Sequence, residues 1–124
     1  MSKEVIGSCI EVHRELGPGL IESVYEKCLL RELELRGLRA SRQQLISIDY
    51  KGFVFEEVLK FDVLVENCLL VELKAVEHVL PVHKAKLMSY MRLLDVPLGL
   101  LANFHAIKLV DGVSRMILPG ANQS

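Results

Sequence analysis

The sequence predicts an α/β protein in which a mixed central sheet is flanked by helices. Apolar residues recur with a helical period over residues 3–16 and from about residue 20 to residue 36. The period then changes to two over residues 44–75, and a further helical stretch precedes a wholly apolar strand at 98–104. Helices on both sides of a run of strands favour one layered domain spanning residues 1–124.

Glycine and proline indicate where these elements begin and end. The Gly17-Pro18-Gly19 segment breaks the first helix, and Gly37 suits the position after the second. Lys51-Gly52 is typical of a hairpin turn, and Pro81 suits the first turn of a helix that ends near Leu94. The predicted strands are residues 44–50, 53–66 (long and bulged, or divided), 68–75, 98–104, and a terminal hairpin of 107–110 and 113–118, before a tail at 120–124 that we expect to fray.

Composition limits the classes of function. The chain of 124 residues carries 15 basic and 16 acidic side chains, so its net charge of −1 gives no overall electrostatic attraction for nucleic acid. A local basic patch remains compatible with that total. Hydrophobic residues make up 51% of the chain, which indicates an ordered globular protein that tends to self-associate.

The cysteines and the apolar runs suggest a cytoplasmic protein. Cys9, Cys28 and Cys68 are odd in number and widely spaced, which fits reduced core thiols better than disulfides or a zinc site. Residues 1–4 lead directly into an amphipathic pattern, so we expect no signal peptide. No apolar run approaches the roughly 20 residues of a membrane helix, so we expect no membrane partner.

Three charged residues lie in strands that are otherwise almost wholly aliphatic: Asp62, Glu72 and Lys74. Glu72 and Lys74 are two residues apart, so they project from the same face of their strand. A three-residue loop centred on Asn67 would place Asp62 directly opposite Glu72, with Cβ atoms about 5 Å apart. Two carboxylates that close repel each other unless a cation lies between them.

This pattern predicts a hydrolytic metal site. A divalent cation held by oxygen ligands would relieve the repulsion between Asp62 and Glu72. The ammonium group of Lys74 could stabilise charge that develops on a phosphate.

Four blocks of the sequence resemble a known family. Gly19-Leu20-Ile21-Glu22-Ser23-Val24-Tyr25 is similar to the G-x-x-E-x-x-Y signature that names a family of small prokaryotic proteins. Tyr50-Lys51-Gly52, Phe61-Asp62 with Val71-Glu72-Leu73-Lys74-Ala75, and residues 98–104 also fit its pattern in the same order. That family belongs to the PD-(D/E)XK nuclease superfamily. The resemblance implies a restriction-endonuclease-like α-β-β-β-α-β core and a nuclease function.

The resemblance also implies roles for individual residues. Asp62 and Glu72, assisted by the carbonyl of Leu73, would hold Mg²⁺ or Mn²⁺. Lys74 would orient or activate the attacking water and stabilise the phosphate, and Glu22 would be an outer ligand of the metal or water. The family pattern has Gln where this chain has Lys86, and that Gln normally supports the site.

Each of these residues also has a structural interpretation. The charges at Asp62, Glu72 and Lys74 could form an ion-pair network that only stabilises the fold, and Glu22 could be an acid favoured by the helix dipole. Tyr25 is either a substrate contact or a core residue. The remaining basic residues of the last helix are either phosphate contacts or a solvated helix face; they include Lys84 and Lys86.

Two functions follow from these interpretations. The first is a Mg²⁺- or Mn²⁺-dependent phosphodiesterase that acts on DNA or RNA. The second is a non-catalytic, homodimeric interaction module built on a nuclease-like fold that has lost its activity. The balanced charge, the apolar composition and the Lys86 substitution favour the second.

Overall fold

The computed structural model describes residues 1–120, so the predicted fraying of residues 121–124 lies outside the described part. Within these residues, three α-helices, five strands and one 3₁₀ turn follow one another. They are α1 (Ser2–Leu16), α2 (Glu22–Leu35), β1 (Ala40–Tyr50), β2 (Phe53–Val65), β3 (Leu69–Lys74), α3 (Pro81–Leu94), β4 (Leu98–Asn103), a 3₁₀ turn (Leu109–Gly112) and β5 (Val113–Ile117).

The strands form one mixed sheet in the order β1-β2-β3-β4-β5. The β3–β4 pair is parallel, and the other neighbouring pairs are antiparallel. The parallel pair requires a crossover, which α3 provides between β3 and β4. The predicted α/β class with a mixed central sheet and flanking helices is therefore confirmed.

Alternation along the strands gives the sheet two apolar faces. On one face, Val63, Val71 and Leu73 pack in a core with buried residues of α1 and α2. On the other face, Leu64 and Leu70 pack in a core with buried residues of α3. Each fully buried aliphatic side chain contributes about 1.5–3 kcal/mol, so the two cores fix the sheet between its helix layers.

The predicted terminal hairpin is wrong in its first strand. Residues 107 and 108 form a bend, residues 109 and 110 belong to the 3₁₀ segment, and β5 pairs with β4 directly. Ile107 is 83% exposed, whereas Leu109 is 3% exposed and packs in the α1/α2 core. A strand would place these two side chains on the same face, but the 3₁₀ turn separates them.

Residues 44–59 of β1 and β2 form a two-stranded arm that ends in the predicted Lys51-Gly52 turn, and its base packs against α3 through Ile46 and Leu59. Both turn residues have positive φ, 51° and 88°, and the Asp49 carboxylate accepts a hydrogen bond from the Gly52 N–H at 2.9 Å. Positive φ at both central residues matches the twist of a tight hairpin.

Candidate active site

The β2–β3 hairpin brings the two acidic residues together. Its strands pair as Val63 with Val71 and Val65 with Leu69, which is the register predicted from a three-residue loop. Asn67 in that loop has a φ of 55°, a conformation that Asn tolerates better than most residues. Asp62 and Glu72 directly follow the Val63–Val71 pair, and both line the same pocket.

Asp62 lies in the part of β2 where the regular pairing with β1 is interrupted. Between the pairs Ser41–Leu64 and Gln43–Lys60, β2 advances by more residues than β1, which forms the predicted bulge. The Asp62 Oδ2 atom accepts a hydrogen bond from the Leu73 N–H at 2.7 Å. Bulges redirect side chains in this way, and here the carboxylate is fixed against β3.

Glu72 is a buried carboxylate with only one partner. It is 7% exposed and lies on the α3 face of the sheet, because its neighbours Val71 and Leu73 lie on the other face. Its Oε1 atom contacts the Lys86 Nζ atom at 3.2 Å, whereas its Oε2 atom is buried without a hydrogen-bond partner in residues 1–120. An unsatisfied buried oxygen is rare in proteins and indicates strain or a missing ligand.

Lys86 brings a positive charge from α3 to this carboxylate. Burial lowers the pKa of Lys86, but the hydrogen bond and charge of Glu72, with smaller effects of Tyr90 and Asp62, outweigh it and raise the pKa overall. The ammonium also lies 5.4 Å from the centre of the Tyr90 ring, within the range of a cation–π contact. Lys86 therefore stays charged and belongs to the site.

A small pocket joins these groups. Asp62, Glu72, Lys86 and Tyr90 are among its lining residues, with Phe61 at one side. Its volume is about 10 Å³, close to the space that one water molecule requires. The pocket thus admits a single small ligand while Lys86 holds its present position.

Lys74 and Asn103 lie side by side at the ends of β3 and β4. Lys74 is partly buried and shares the face of Glu72, and within residues 1–120 its ammonium has no carboxylate within ion-pair distance. The Asn103 side chain accepts from the Val76 N–H at 3.1 Å and donates to the Val76 carbonyl at 2.8 Å. Asn103 thereby holds the segment that follows Lys74. The sequence did not predict this role, although a polar residue at the end of an apolar strand was a signal that could have indicated it.

Glu22 lies apart from this cluster. It begins α2, which packs on the face of the sheet opposite Glu72. In the described part of the chain, no three His, Cys, Asp or Glu side chains are grouped so that they could hold a metal ion together. Asp62 and Glu72 thus line one pocket, and the described structure does not group Glu22 with them as a third ligand.

Tyr25 is a core residue, so the prediction that it contacts substrate needs correction. Its side chain is 0% exposed and stacks on Phe104 with ring centres 4.5 Å apart. Its hydroxyl donates to the Gly17 carbonyl at 2.6 Å and accepts from the Leu20 N–H at 3.0 Å. Tyr25 thus holds the loop before α2. Lys84, in contrast, is exposed on α3, where a phosphate could reach it.

The fold and this site define a nuclease-like α/β protein with two carboxylates and two lysines on one face of its sheet. A family model described as the PD-(D/E)XK nuclease superfamily matches residues 1–116. The chain therefore belongs to the PD-(D/E)XK nuclease superfamily, and its architecture is the restriction-endonuclease-like fold.

A solved structure, "Crystal structure of SSO0001", is similar in fold. The TM-score is 0.56 at 19% sequence identity, and the match covers 78% of this chain and 49% of that one. This chain thus spans about half the length of that protein, and the likeness concerns the fold alone. No curated protein sequence is significantly similar to the chain. None of the helices in residues 1–120 is long and apolar enough to cross a membrane.

Proposed function

We propose that the protein is a Mg²⁺- or Mn²⁺-dependent phosphodiesterase that hydrolyses nucleic-acid backbones. The observation that carries this proposal is the buried Oε2 atom of Glu72, which has no partner among residues 1–120 and lies beside a second carboxylate, Asp62. A divalent cation would satisfy that oxygen and reduce the repulsion between the two charges. These carboxylate oxygens therefore fit a divalent metal ion, which members of the superfamily use.

The main chain of β3 supplies a third oxygen to this proposal. The Lys74 carbonyl accepts from the Phe104 N–H on the β4 side. Successive carbonyls of a strand point to opposite sides, so that of Leu73 points towards β2, where Asp62 lies. This direction supports the predicted role of Leu73 beside Asp62 and Glu72.

In the proposed reaction, each residue of the site has a separate role. Asp62, Glu72 and the Leu73 carbonyl hold the cation, which when bound supplies Lewis-acid stabilisation of a phosphate. Lys74 orients the attacking water and stabilises the charge that develops on the phosphate oxygens. Lys84, exposed on α3, binds an adjacent phosphate of the substrate strand.

A nuclease assay with Mn²⁺ or Mg²⁺ on single- and double-stranded DNA and RNA tests the proposal. We expect Glu72→Gln to lower cleavage by about 100-fold or more, since it removes a charged ligand and keeps the side-chain shape. Glu57→Gln is the matched control, because Glu57 is an exposed acid on β2. Equal cleavage by wild type and Glu72→Gln would refute the assignment.

The second candidate function is a homodimeric interaction module, and the β1–β2 arm favours it. The arm exposes apolar side chains that a monomer would leave in water: Leu45, Tyr50, Phe53, Val54 and Val58. The strand pairing places Leu45, Val54 and Val58 on one face of the ribbon and Tyr50 and Phe53 on the other. A two-stranded ribbon is marginally stable alone, and a second copy could cover the face that carries Tyr50 and Phe53 in an isologous contact.

Sedimentation velocity tests this alternative. Phe53 lies at the tip of the arm and is 66% exposed, so Phe53→Ser should leave the fold intact. A wild-type dimer that becomes a monomer in Phe53→Ser, with no cleavage by either protein, would favour the module over the enzyme. A wild-type monomer would remove the alternative.

The narrower family assignment is also part of the proposal. The Gly19–Tyr25 segment supports membership of the family named for the G-x-x-E-x-x-Y signature, and its Tyr25 has a clear role in holding the loop before α2. Glu22 in that signature would act only if α2 moved towards the site, so Glu22→Gln should change cleavage less than Glu72→Gln does.

A further inference from the structure

The four charges of the site balance before any metal binds. Asp62 and Glu72 contribute two negative charges, and Lys74 and Lys86 contribute two positive charges on the same face of the sheet. Lys86 is the one that contacts a carboxylate directly, at 3.2 Å from the Glu72 Oε1 atom. The chain itself thus provides the counter-charge that a divalent cation would otherwise supply.

Lys86 and a cation would compete for the charge of the same carboxylate. The pocket beside Glu72 holds about 10 Å³, roughly the space of one water, so an ion bound to the Glu72 Oε2 atom would lie close to the Lys86 ammonium at the Oε1 atom. An ammonium and a divalent ion on one carboxylate also repel each other strongly in a partly buried site. A metal ion would therefore bind Glu72 more weakly while the Lys86 ammonium stays in contact with it.

Lys86 is able to leave. Its side chain is 51% exposed although its ammonium contacts Glu72, and the neighbouring Lys84 is also exposed. A long lysine side chain can keep its stem on the protein surface while its ammonium turns to water. The Lys86–Glu72 contact is therefore a reversible closure of the site.

We propose that Lys86 is an internal competitor of the divalent metal ion, so that this residue weakens metal binding at Glu72 and sets the ion concentration at which the site becomes loaded. The inference rests on the proposed metal-dependent function. Lys86 is in this sense a positioning residue, because it acts on the metal ligand Glu72 and not on the substrate.

Calorimetric titration of the full chain with Mn²⁺ tests the inference without reference to activity. We expect Lys86→Gln to lower the Kd for Mn²⁺ about tenfold, because it removes the competing charge and keeps a hydrogen-bond donor to Glu72. Lys84→Gln is the matched control: it removes the same charge from the same helix at an exposed position, and its Kd should stay at the wild-type value.

The outcomes separate the inference from the proposed function. A tighter Kd in Lys86→Gln alone, abolished in the Glu72→Gln/Lys86→Gln double variant, would support the inference. Equal Kd values for wild type and Lys86→Gln, both dependent on Glu72, would overturn the inference and leave the proposed function standing. An equal effect of Lys84→Gln would also overturn it, since the cause would then be the general charge of α3. No Mn²⁺ binding by any variant would overturn both.

Thermal melting gives a second readout. In EDTA, Lys86→Gln should melt below wild type, because Glu72 loses the only ion-pair partner it has within residues 1–120. Saturating Mn²⁺ should raise the Tm of Lys86→Gln more than that of wild type. A purely structural lysine would lower the Tm by the same amount with and without Mn²⁺, and that result would contradict the inference.

Discussion

Replacing Glu72 by leucine should make the metal-free protein more stable. The Glu72 carboxylate is 7% exposed and has an oxygen without a partner, whereas its one ion-pair partner, Lys86, is half-exposed. The folded state therefore carries a desolvated charge that is only partly compensated. Leu70 and Leu87 line the same pocket, so a leucine at this position would find apolar neighbours.

The magnitude follows from the separate contributions. An unsatisfied buried acceptor costs about 1–3 kcal/mol, and an ion pair with an exposed lysine returns about 0–1 kcal/mol. Removing both, and adding apolar burial, should raise the free energy of unfolding by about 2 kcal/mol. For a domain of 124 residues this corresponds to an increase in Tm of about 8 °C.

Urea denaturation in EDTA, followed by circular dichroism, measures the effect. Glu77→Leu is the matched control, because Glu77 is exposed in the loop after β3, and it should change stability by less than about 0.5 kcal/mol. If Glu72→Leu unfolds at a lower urea concentration than wild type, the pair with Lys86 stabilises the fold more than burial destabilises it. The reasoning about the uncompensated carboxylate would then be refuted.

Three further predictions concern other parts of the fold, and one concerns the second carboxylate. Tyr25→Phe removes a hydroxyl with two main-chain partners and should destabilise the protein by about 1–2 kcal/mol in urea unfolding; no change would mean that water replaces both bonds. Gly112→Ala places a Cβ atom 2.6 Å from a main-chain carbonyl oxygen, so we expect a lower Tm, and an unchanged Tm would contradict the tight turn. Burial raises the pKa of Cys9 from 9.0 to about 12, so between these values the unfolded chain loses a proton that the folded chain keeps. Stability should therefore fall as the pH rises, and wild type should lose about 1 kcal/mol more than Cys9→Ala between pH 8 and pH 10; parallel profiles would contradict this. Asp62→Asn keeps an oxygen for the Leu73 N–H and should unfold near wild type, whereas Asp62→Ala should lose about 1–3 kcal/mol. Both variants should bind Mn²⁺ more weakly in calorimetry, and retained affinity would exclude Asp62 as a ligand.

Sequence reasoning succeeded where local rules decide the geometry. The register of β2 and β3 depends only on the length of the loop around Asn67, and the observed pairs confirm it. Alternation then fixes which side chains share a face, so the apposition of Asp62 and Glu72 could be predicted without a structure. Pro81 at the start of α3 is a similar case, because proline suits the first turn of a helix.

The errors arose where tertiary packing decides. The apolar residues at 107–110 have the composition of a strand, but Leu109 packs in the α1/α2 core while Ile107 lies in solvent, which a 3₁₀ turn permits and a strand does not. Tyr25 sits in a motif that suggests function, yet its aromatic ring is needed in the core against Phe104. In both cases the sequence pattern is present, but packing against neighbouring residues decides which structure or role it has.

The partner of Lys86 was beyond sequence reasoning for a geometric reason. A helix period of 3.6 residues places Lys86 on a face of α3, but the rotation of α3 about its axis and its angle across the sheet decide whether that face meets solvent or β3. Only the crossover from β3 to β4, with Leu87 and Met91 packed on the sheet, directs Lys86 to Glu72.

The two carboxylates therefore differ in how they are held, although sequence treats them as equivalent. Asp62 is fixed by the Leu73 N–H at 2.7 Å, a bond within the sheet that requires no cation. The Glu72 carboxylate has no main-chain hydrogen-bond partner in residues 1–120. Its ion-pair partner is the ammonium of Lys86, a half-exposed side chain that can turn to solvent. Asp62 is thus preorganised, and under the proposed function Glu72 is the group whose partner would change when a cation binds. A site of this design would stay folded at low metal concentration with Lys86 paired to Glu72. A metal ion would bind by replacing Lys86 as the partner of the Glu72 carboxylate.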